Sequence, residues 1–497
     1  MSQLARNTFL LTAASIGQKA VAFLYFAVIA RTIGEDATGS YFLALALTTT
    51  IGAIDDVGLT SVLVREVAKE PGKALEYARN VLANKLVLMP VTVVLAFVAP
   101  RLLGFSVEAT MLTELAVFVM LLDTISLSMY GVLRGQQNLK FESIGIFVGQ
   151  AITTVVGLSA LFLLPPNGGA VAGLMLMLLL IVALIIGSGW NALFALFHVV
   201  RRLGIKALVP SFSLGWKPFK MASMFFVAAV FVKIYSYVDS FTLNMVLGAG
   251  AVGVYAVAYK LAYSFQFLPL AFIGALYPTM SAQVKDPEAL KKTFLSAEWY
   301  LALLAAPVVF GLFALAPEII QFFYGSKFAA AAPTLQILVF ALLFIFLDFP
   351  IGALLNASGR QALKTGIMGV TMVINLVANL LLIPRLGIPG AAVSALISFS
   401  FMFFAGYVLS FKIIKVPMYD FITAVGGSFA SGAVMASVVL VVKMFLPWII
   451  TVPIGAVVFF AVAFATRSIT LDHLRALWQL VPRLRANGIR EEVSETV

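Results

Sequence analysis

The sequence predicts an all-α integral membrane protein with about fourteen transmembrane helices. Three observations carry that prediction: the composition, the length of the apolar runs, and the placement of the basic residues. Hydrophobic residues make up 62% of the 497 and charged residues only 11%, against roughly 45–50% and 25% in a soluble domain. At a mean hydropathy of +1.05, a soluble fold of this length has too little interior to hide its apolar surface. Lipid removes the difficulty, and in lipid only helices or closed barrels satisfy the backbone. The apolar runs are unbroken and close to twenty residues long, not the ten-residue alternation of a barrel strand, so they read as helices.

In chain order the runs predict helices over 7–30, 38–64, 82–100, 109–133, 143–164, 170–197, 219–247, 250–282, 293–316, 330–357, 362–383, 389–411, 420–445 and 447–469. The first run continues past Lys19 to about Ala30, longer than the apolar stretch of a cleavable signal, and reads as the first membrane helix. Beyond it, Leu471, Leu474, Trp478 and Val481 recur at helical spacing before Pro482, which suits either a short interfacial helix or a solvated tail.

Orientation follows from the basic residues. With the N-terminus in the cytoplasm, twenty-five of the thirty-three Lys and Arg fall on the cytoplasmic side and five outside, the five being Arg31, Arg101, Lys327, Arg385 and Lys443. Three lie inside helices: Lys19, Lys233 and Lys260. A five-to-one bias is the positive-inside pattern. It predicts a multi-pass protein with both termini in the cytoplasm. It also accounts for the net charge of +11 without a nucleic-acid partner. The chain has no cysteine, which excludes disulfides and thiolate metal sites. Its two histidines, His198 and His473, read as lying in basic stretches outside the apolar runs. No phosphate-binding loop, metal set or nucleophile motif is present, so no cofactor is expected.

An internal repeat organises the chain. At a shift of 214 residues, Gly34, Ala37, Gly39 and Tyr41 fall on Gly248, Ala251, Gly253 and Tyr255, and Lys19 falls on Lys233. Further along, Leu139-Lys140 matches Leu363-Lys364, Asp123 meets Asp348, and the loop from Pro165 to Ala170 resembles Pro384 to Ala391. Helices 1–6 thus repeat as helices 7–12. Six is even, so the halves enter the membrane from the same side as a parallel pseudo-twofold repeat. The expected units are an N-lobe over 1–200, a cytoplasmic linker over 201–218, a C-lobe over 219–415, two extra helices over 416–470 and a cytoplasmic tail over 471–497. Two such lobes facing one cleft is transporter architecture.

Charges within the helices mark candidate sites, since each costs about 2.5–3.5 kcal/mol at the bilayer centre and a Leu returns only about 0.3–0.6. Lys19 lies about twelve residues into helix 1, roughly 18 Å deep at 1.5 Å per residue, with Thr12 and Ser15 on its face. On helix 7, Lys233, Ser236, Ser240 and Asn244 form a polar stripe, and Lys260 on helix 8 sits near Tyr255, Tyr259 and Tyr263. Lys19, Lys233 and Lys260 converging on a wet cleft would make an anion site. Snorkelling or pairing with an internal acid is the structural alternative. Asp123 and Asp348, at repeat-equivalent positions, suit proton carriage or charge pairing. Asp239 lies six residues past Lys233 and so on another face. Asp55 and Asp56, before Gly58, suit the inner mouth. Glu114 and Glu298 read as wet helix-end residues. Arg31 with Glu35 and Asp36 suits an outer gate, or simply a solvated loop.

Several stretches resemble one family. The run IDDVGLTSVLVR over 54–65 with the following EVAKEPGKA, the segment LGAGAVGVYAVAYKL, then LPLAFIGALYPTMS, and PEIIQFFYGSKFAAAAPTLQIL resemble, in that order, the polysaccharide-unit flippases of the multidrug, oligosaccharidyl-lipid and polysaccharide exporter superfamily. The resemblance spans helices 1–12 and implies fourteen helices, a V of two lobes, a cationic central cavity and no covalent chemistry. It implies the plasma membrane of a prokaryote, and a lipid-linked oligosaccharide as cargo, with Lys19, Lys233 and Lys260 as the cationic positions. A monomer is expected, surrounded by membrane lipid and working near glycosyltransferases or a polymerase. The alternatives are a drug or metabolite extruder of the same superfamily, which three buried lysines disfavour; a membrane enzyme for glycosyl or acyl transfer, which would need larger outward loops or an intramembrane histidine; and a passive channel.

Overall fold

A computed structural model describes residues 3–164, 169–215 and 217–469, which contain seventeen α-helices and no strand. In order these are α1 (Gln3–Ile33), α2 (Glu35–Asp56), α3 (Leu59–Lys69), α4 (Ala74–Leu102), α5 (Val107–Gly135), α6 (Lys140–Leu163), α7 (Gly169–Leu203), α8 (Lys217–Leu247), α9 (Ala249–Tyr263), α10 (Phe267–Ala282), α11 (Pro287–Ala314), α12 (Ala316–Tyr324), α13 (Ala331–Ala357), α14 (Gln361–Leu386), α15 (Ile388–Ile414), α16 (Met418–Val442) and α17 (Trp448–Ala465). Fourteen stretches of these residues are long and apolar enough to cross a membrane, the number expected. The tail helix, His473 and most of the loop from Pro165 lie outside the described residues.

Two predicted helices prove to be two elements each, and a third has other bounds. The run over 38–64 divides because Val57 (φ +46) and Gly58 (φ +74) both take left-handed conformations, which end α2 and start α3. On α3, Leu59, Val62, Leu63 and Val67 are buried, while Arg65 and Lys69 stay in water. It is an amphipathic helix that packs on α5, α4 and α8 rather than a continuation of the span. The run over 250–282 divides at a 3-10 turn, Ser264–Gln266. Pro269 follows in the first turn of α10, where its missing N–H costs nothing, whereas a continuous helix would lose a hydrogen bond there. The run over 293–316 extends back to Pro287, with the Asp286 side chain accepting from Ala289 N at 3.1 Å as N-cap. It ends at Ala314, and the short α12 follows separately.

The repeat is visible in the packing. In the first half α1 packs on α6, α2 on α5, α4 on α5, α5 on α7, and α6 on α7. In the second half the corresponding pairs all recur: α8 on α14, α9 on α13, α11 on α13, α13 on α15, and α14 on α15. The breaks between α1 and α2 and between α8 and α9 fall at Gly34 (φ +83) and Gly248 (φ +85), the equivalent positions of the repeat. Both need a backbone that residues with a Cβ rarely adopt. The two halves meet chiefly where α2 crosses α9 and α8. Of the two extra helices, α16 packs on α11 and α17 on α16, so both flank the second half. Between the halves, Ala207 is buried, Ser211 N donates to Arg79 O at 3.1 Å, and Arg79 Nε donates to Val209 O at 2.8 Å.

Candidate substrate cleft

Two cavities lie on either side of α8 and α9. The first, about 510 Å³, is walled by α2, α5, α7, α8 and α9 and therefore sits between the two halves. Into it come Lys233 from the middle of α8, Lys260 from the last turn of α9, Asp123 from α5 and Asp56 from α2. Lys260 is exposed to this space although it belongs to a helix whose other residues are largely buried. Its Nζ stands 5.6 Å from the Phe26 ring centre and 5.7 Å from that of Phe42, within cation–π range. Among the described residues, no carboxylate pairs with Lys233 or Lys260.

Asp56 is neutralised where it stands: Lys85 Nζ lies 2.7 Å from its Oδ1, and the Thr60 hydroxyl donates to the same oxygen. Lys85 is 1% exposed and also donates to Thr124 O at 3.3 Å. Asp55 is fully buried behind this pair, close to Thr124. Nearby, Arg134 Nε donates to Glu142 at 2.6 Å.

The second cavity, about 480 Å³, lies within the second half, between α8, α9, α10, α13, α14 and α15. Asp348 and Lys364 form its charged wall, with Lys364 Nζ 2.6 Å from both carboxylate oxygens. Asp239 reaches it from α8, held by Ser240 N at 2.7 Å and by the hydroxyl of the fully buried Tyr255. Tyr235, Tyr259 and Tyr263 also line it.

The sequence-predicted residues are thus distributed rather than gathered. Lys233 and Lys260 share the first cavity with Asp123 and Asp56, whereas Asp239 and Asp348 line the second. Lys19 is exposed on α1 and lines neither. The polar stripe of α8 does not face one space: Lys233 meets the first cavity and Ser236 the second, while the Asn244 amide donates to Leu103 O and Gly104 O at 3.2 and 3.3 Å. Arg31 donates to Phe322 O at 2.9 Å and so ties α1 to α12.

Four residues were misjudged from sequence. Lys85 and Lys364, counted simply among the cytoplasmic-side cations, are buried partners of Asp56 and Asp348. For the second pair the signal was present: Asp348 and Lys364 sit sixteen residues apart at the points where the repeat aligns charges. Glu298 is not wet but 0% exposed. His198 is part of α7 and stacks on Phe141 at 3.7 Å between ring centres.

Known proteins resemble this chain in sequence and in fold. The family model described as Polysaccharide biosynthesis protein matches residues 4–284, and that of MatE matches residues 225–381. The probable low-salt glycan biosynthesis flippase of Haloferax volcanii is 24% identical over 88% of this chain and 89% of its own length. The succinoglycan biosynthesis transport protein of Rhizobium meliloti is 24% identical over 64% of this chain and 61% of its own. Among solved structures, the lipid II flippase MurJ in an inward closed conformation superposes with a TM-score of 0.70 at 17% identity, covering 92% of this chain and 99% of that one. A multidrug resistance MATE transporter facing inward gives 0.61 at 16% identity, over 80% and 96%. At those identities the likeness is one of fold.

Proposed function

Because this chain belongs to the polysaccharide biosynthesis protein family, we propose that it is a flippase. On this reading it carries lipid-linked oligosaccharide units from the cytoplasmic to the outer leaflet by alternating access and performs no covalent chemistry. The observation that carries the reading is the pair of lysines, Lys233 and Lys260, in a cavity between the halves without a carboxylate partner. Two ammonium groups facing one cavity at membrane depth without a carboxylate partner call for an anionic ligand. The phosphate groups of a polyprenyl carrier supply it, and the apolar remainder of the wall suits the carrier's first isoprene units. Relatives named as a glycan biosynthesis flippase and a succinoglycan transport protein support the same cargo class.

Residues 1–200 and 219–415 act as the two rocking lobes, with 201–218 as the cytoplasmic linker and 416–470 as a flank. The positive-inside bias supports both termini in the cytoplasm, and archaeal and bacterial relatives support the plasma membrane of a prokaryote. Lys19, exposed on α1, meets the cargo when the lobes move, and Arg31 gates the outer end through α12. Asp123, which faces the first cavity without an ion-pair partner among the described residues, is the acid best placed to couple transport to protons. The ion-paired Asp56 and Asp348, and Asp55 and Asp239, tune the charge of the two cavities.

Proteoliposomes holding the purified chain and a fluorescent polyprenyl diphosphate oligosaccharide test this. The expected result is protein-dependent transfer between leaflets, read with a membrane-impermeant quencher and accelerated by an imposed pH gradient. No transfer above protein-free vesicles, together with export of cationic dyes, would make the chain an extruder. Transfer indifferent to both pH gradient and voltage would remove the coupling.

A further inference from the structure

We propose that the second cavity is the saccharide subsite of this transporter, with the phosphates of the same cargo held next door on Lys233 and Lys260; the inference rests on the flippase reading. Its ground is what the cavity offers a ligand. Tyr235, Tyr259, Tyr263 and Phe399, from α8, α9 and α15, form one aromatic wall. Ring centres stand 4.4 Å apart for Tyr259–Tyr263, 6.4 Å for Tyr263–Phe399 and 5.7 Å for Tyr235–Phe399. Among the described residues, the three tyrosine hydroxyls make no hydrogen bond to protein. Side-chain amides of Gln266 and Asn356, Ser236, Asp239 and the ion pair Asp348–Lys364 are further polar groups of the lining. They are set among apolar side chains such as Leu270, Ile273, Met368 and Met402.

A pyranose has one C–H face that packs on an aromatic ring and a rim of hydroxyls that both donate and accept. This wall supplies both. An isoprenoid chain would cover the rings but leave the amides and the ion pair desolvated and unanswered, which costs more than the apolar contact returns. Phosphate is disfavoured on charge, because two carboxyl groups, Asp239 and Asp348, face a single ammonium there. The volume, about 480 Å³, falls within the range of small-ligand sites, roughly 300–1,000 Å³. Position completes the argument. Tyr259 and Lys260 are neighbours on α9 and face different cavities, as do Tyr235 and Lys233 on α8. The wall that separates phosphates from sugars is thus a single layer of helix, formed by α8 and α9.

The test is a binding titration of the purified full chain with farnesyl diphosphate and with farnesyl diphosphate carrying a disaccharide, the sugars being neutral, N-acetylated or uronate-ended. Wild type should bind a neutral or N-acetylated conjugate about tenfold more tightly than farnesyl diphosphate itself, the contribution of one or two aromatic contacts, and should gain less from a uronate. Tyr263→Ala and Tyr235→Ala should each erase that gain and leave the affinity for farnesyl diphosphate unchanged, which also reports an intact fold. Tyr263→Phe should retain most of it. If farnesyl diphosphate binds and no disaccharide adds affinity, the saccharide subsite falls and the flippase reading stands. If the alanine variants lose farnesyl diphosphate as well while eluting as folded protein, the cavity takes the lipid chain and the inference is wrong. If wild type binds neither ligand, the flippase reading fails and takes this inference with it.

Discussion

Gly39 and Gly253 touch backbone to backbone where α2 crosses α9. A Cβ on Gly39 would lie 1.7 Å from the Ala249 carbonyl oxygen, and one on Gly253 would lie 2.0 Å from that of Glu35. The two glycines are equivalent under the 214-residue repeat, so each half presents the same small-residue surface to the other. It is an isologous contact within one chain, built as small-residue crossings of membrane helices are. The same ends of α2 and α9 carry the approach of Asp36 to Gly250.

Gly39→Val should force this crossing apart, since the obstructing atoms are backbone and cannot rotate away. We expect transport to fall about tenfold or more, equivalent to ~1.4 kcal/mol. The chain lacks cysteine, so Thr49→Cys, in the wall of the first cavity, provides a clean reporter. Impermeant maleimide added from the face of the crossing should label it faster when Gly39→Val is present. Unchanged labelling would show that this contact does not close the cavity.

The pair Asp348–Lys364 is largely buried, each side chain 11% exposed. Lys364→Ala leaves the carboxylate unanswered and should cost roughly 3–5 kcal/mol of stability. The double change Asp348→Leu/Lys364→Met should recover most of the loss, because removing both charges removes the desolvation cost as well. Thermal unfolding in detergent measures both. A double variant no better than the single would mean the pair holds the fold by more than mutual neutralisation.

Lys233→Ala and Lys260→Ala should each weaken binding of polyprenyl diphosphate by roughly tenfold to a hundredfold, the range for losing a charged hydrogen bond. The arginine replacements should keep more than the alanine ones, since charge is the requirement. Lys19→Ala should slow transport with little effect on equilibrium binding, because Lys19 stands outside the cavity lining. Isothermal titration beside a vesicle transport assay separates the two effects.

Tyr255→Phe deletes the hydroxyl that Asp239 accepts from inside the second half. Asp239 then keeps only Ser240, so the loss should be about 1–3 kcal/mol, seen as a lower unfolding temperature. Combining it with Asp239→Leu should restore much of that, because no buried acceptor then remains unserved. An unaltered unfolding temperature for Tyr255→Phe would show that water replaces the hydroxyl.

Much of this molecule was legible in one dimension. Hydrophobic length fixes the number of membrane helices, because lipid demands that each spanning segment satisfy its own backbone. The 214-residue repeat follows from Gly34, Gly39, Gly248 and Gly253, whose spacing survives in a background of interchangeable apolar residues. The special chemistry of the charged positions was visible too, since every charge in an apolar run stands out against its cost. What remained hidden was pairing and facing. Helical periodicity says which residues share a face but not what that face meets, so Lys85 and Lys364 counted only as cytoplasmic-side cations until packing set them against Asp56 and Asp348. The division of α8 between two cavities, with Lys233 on one and Tyr235 on the other, depends on where α9, α13 and α5 come to rest. Those positions are set by contacts between residues hundreds apart, such as the close crossing of α2 and α9 at Gly39 and Gly253. The sequence alone determined a two-fold repeated bundle of membrane helices with misplaced charges. Only the tertiary structure decided which charges are neutralised and which stand open to a ligand, because neutralisation depends on through-space distance, and a single chain in lipid can bring any two of its helices together.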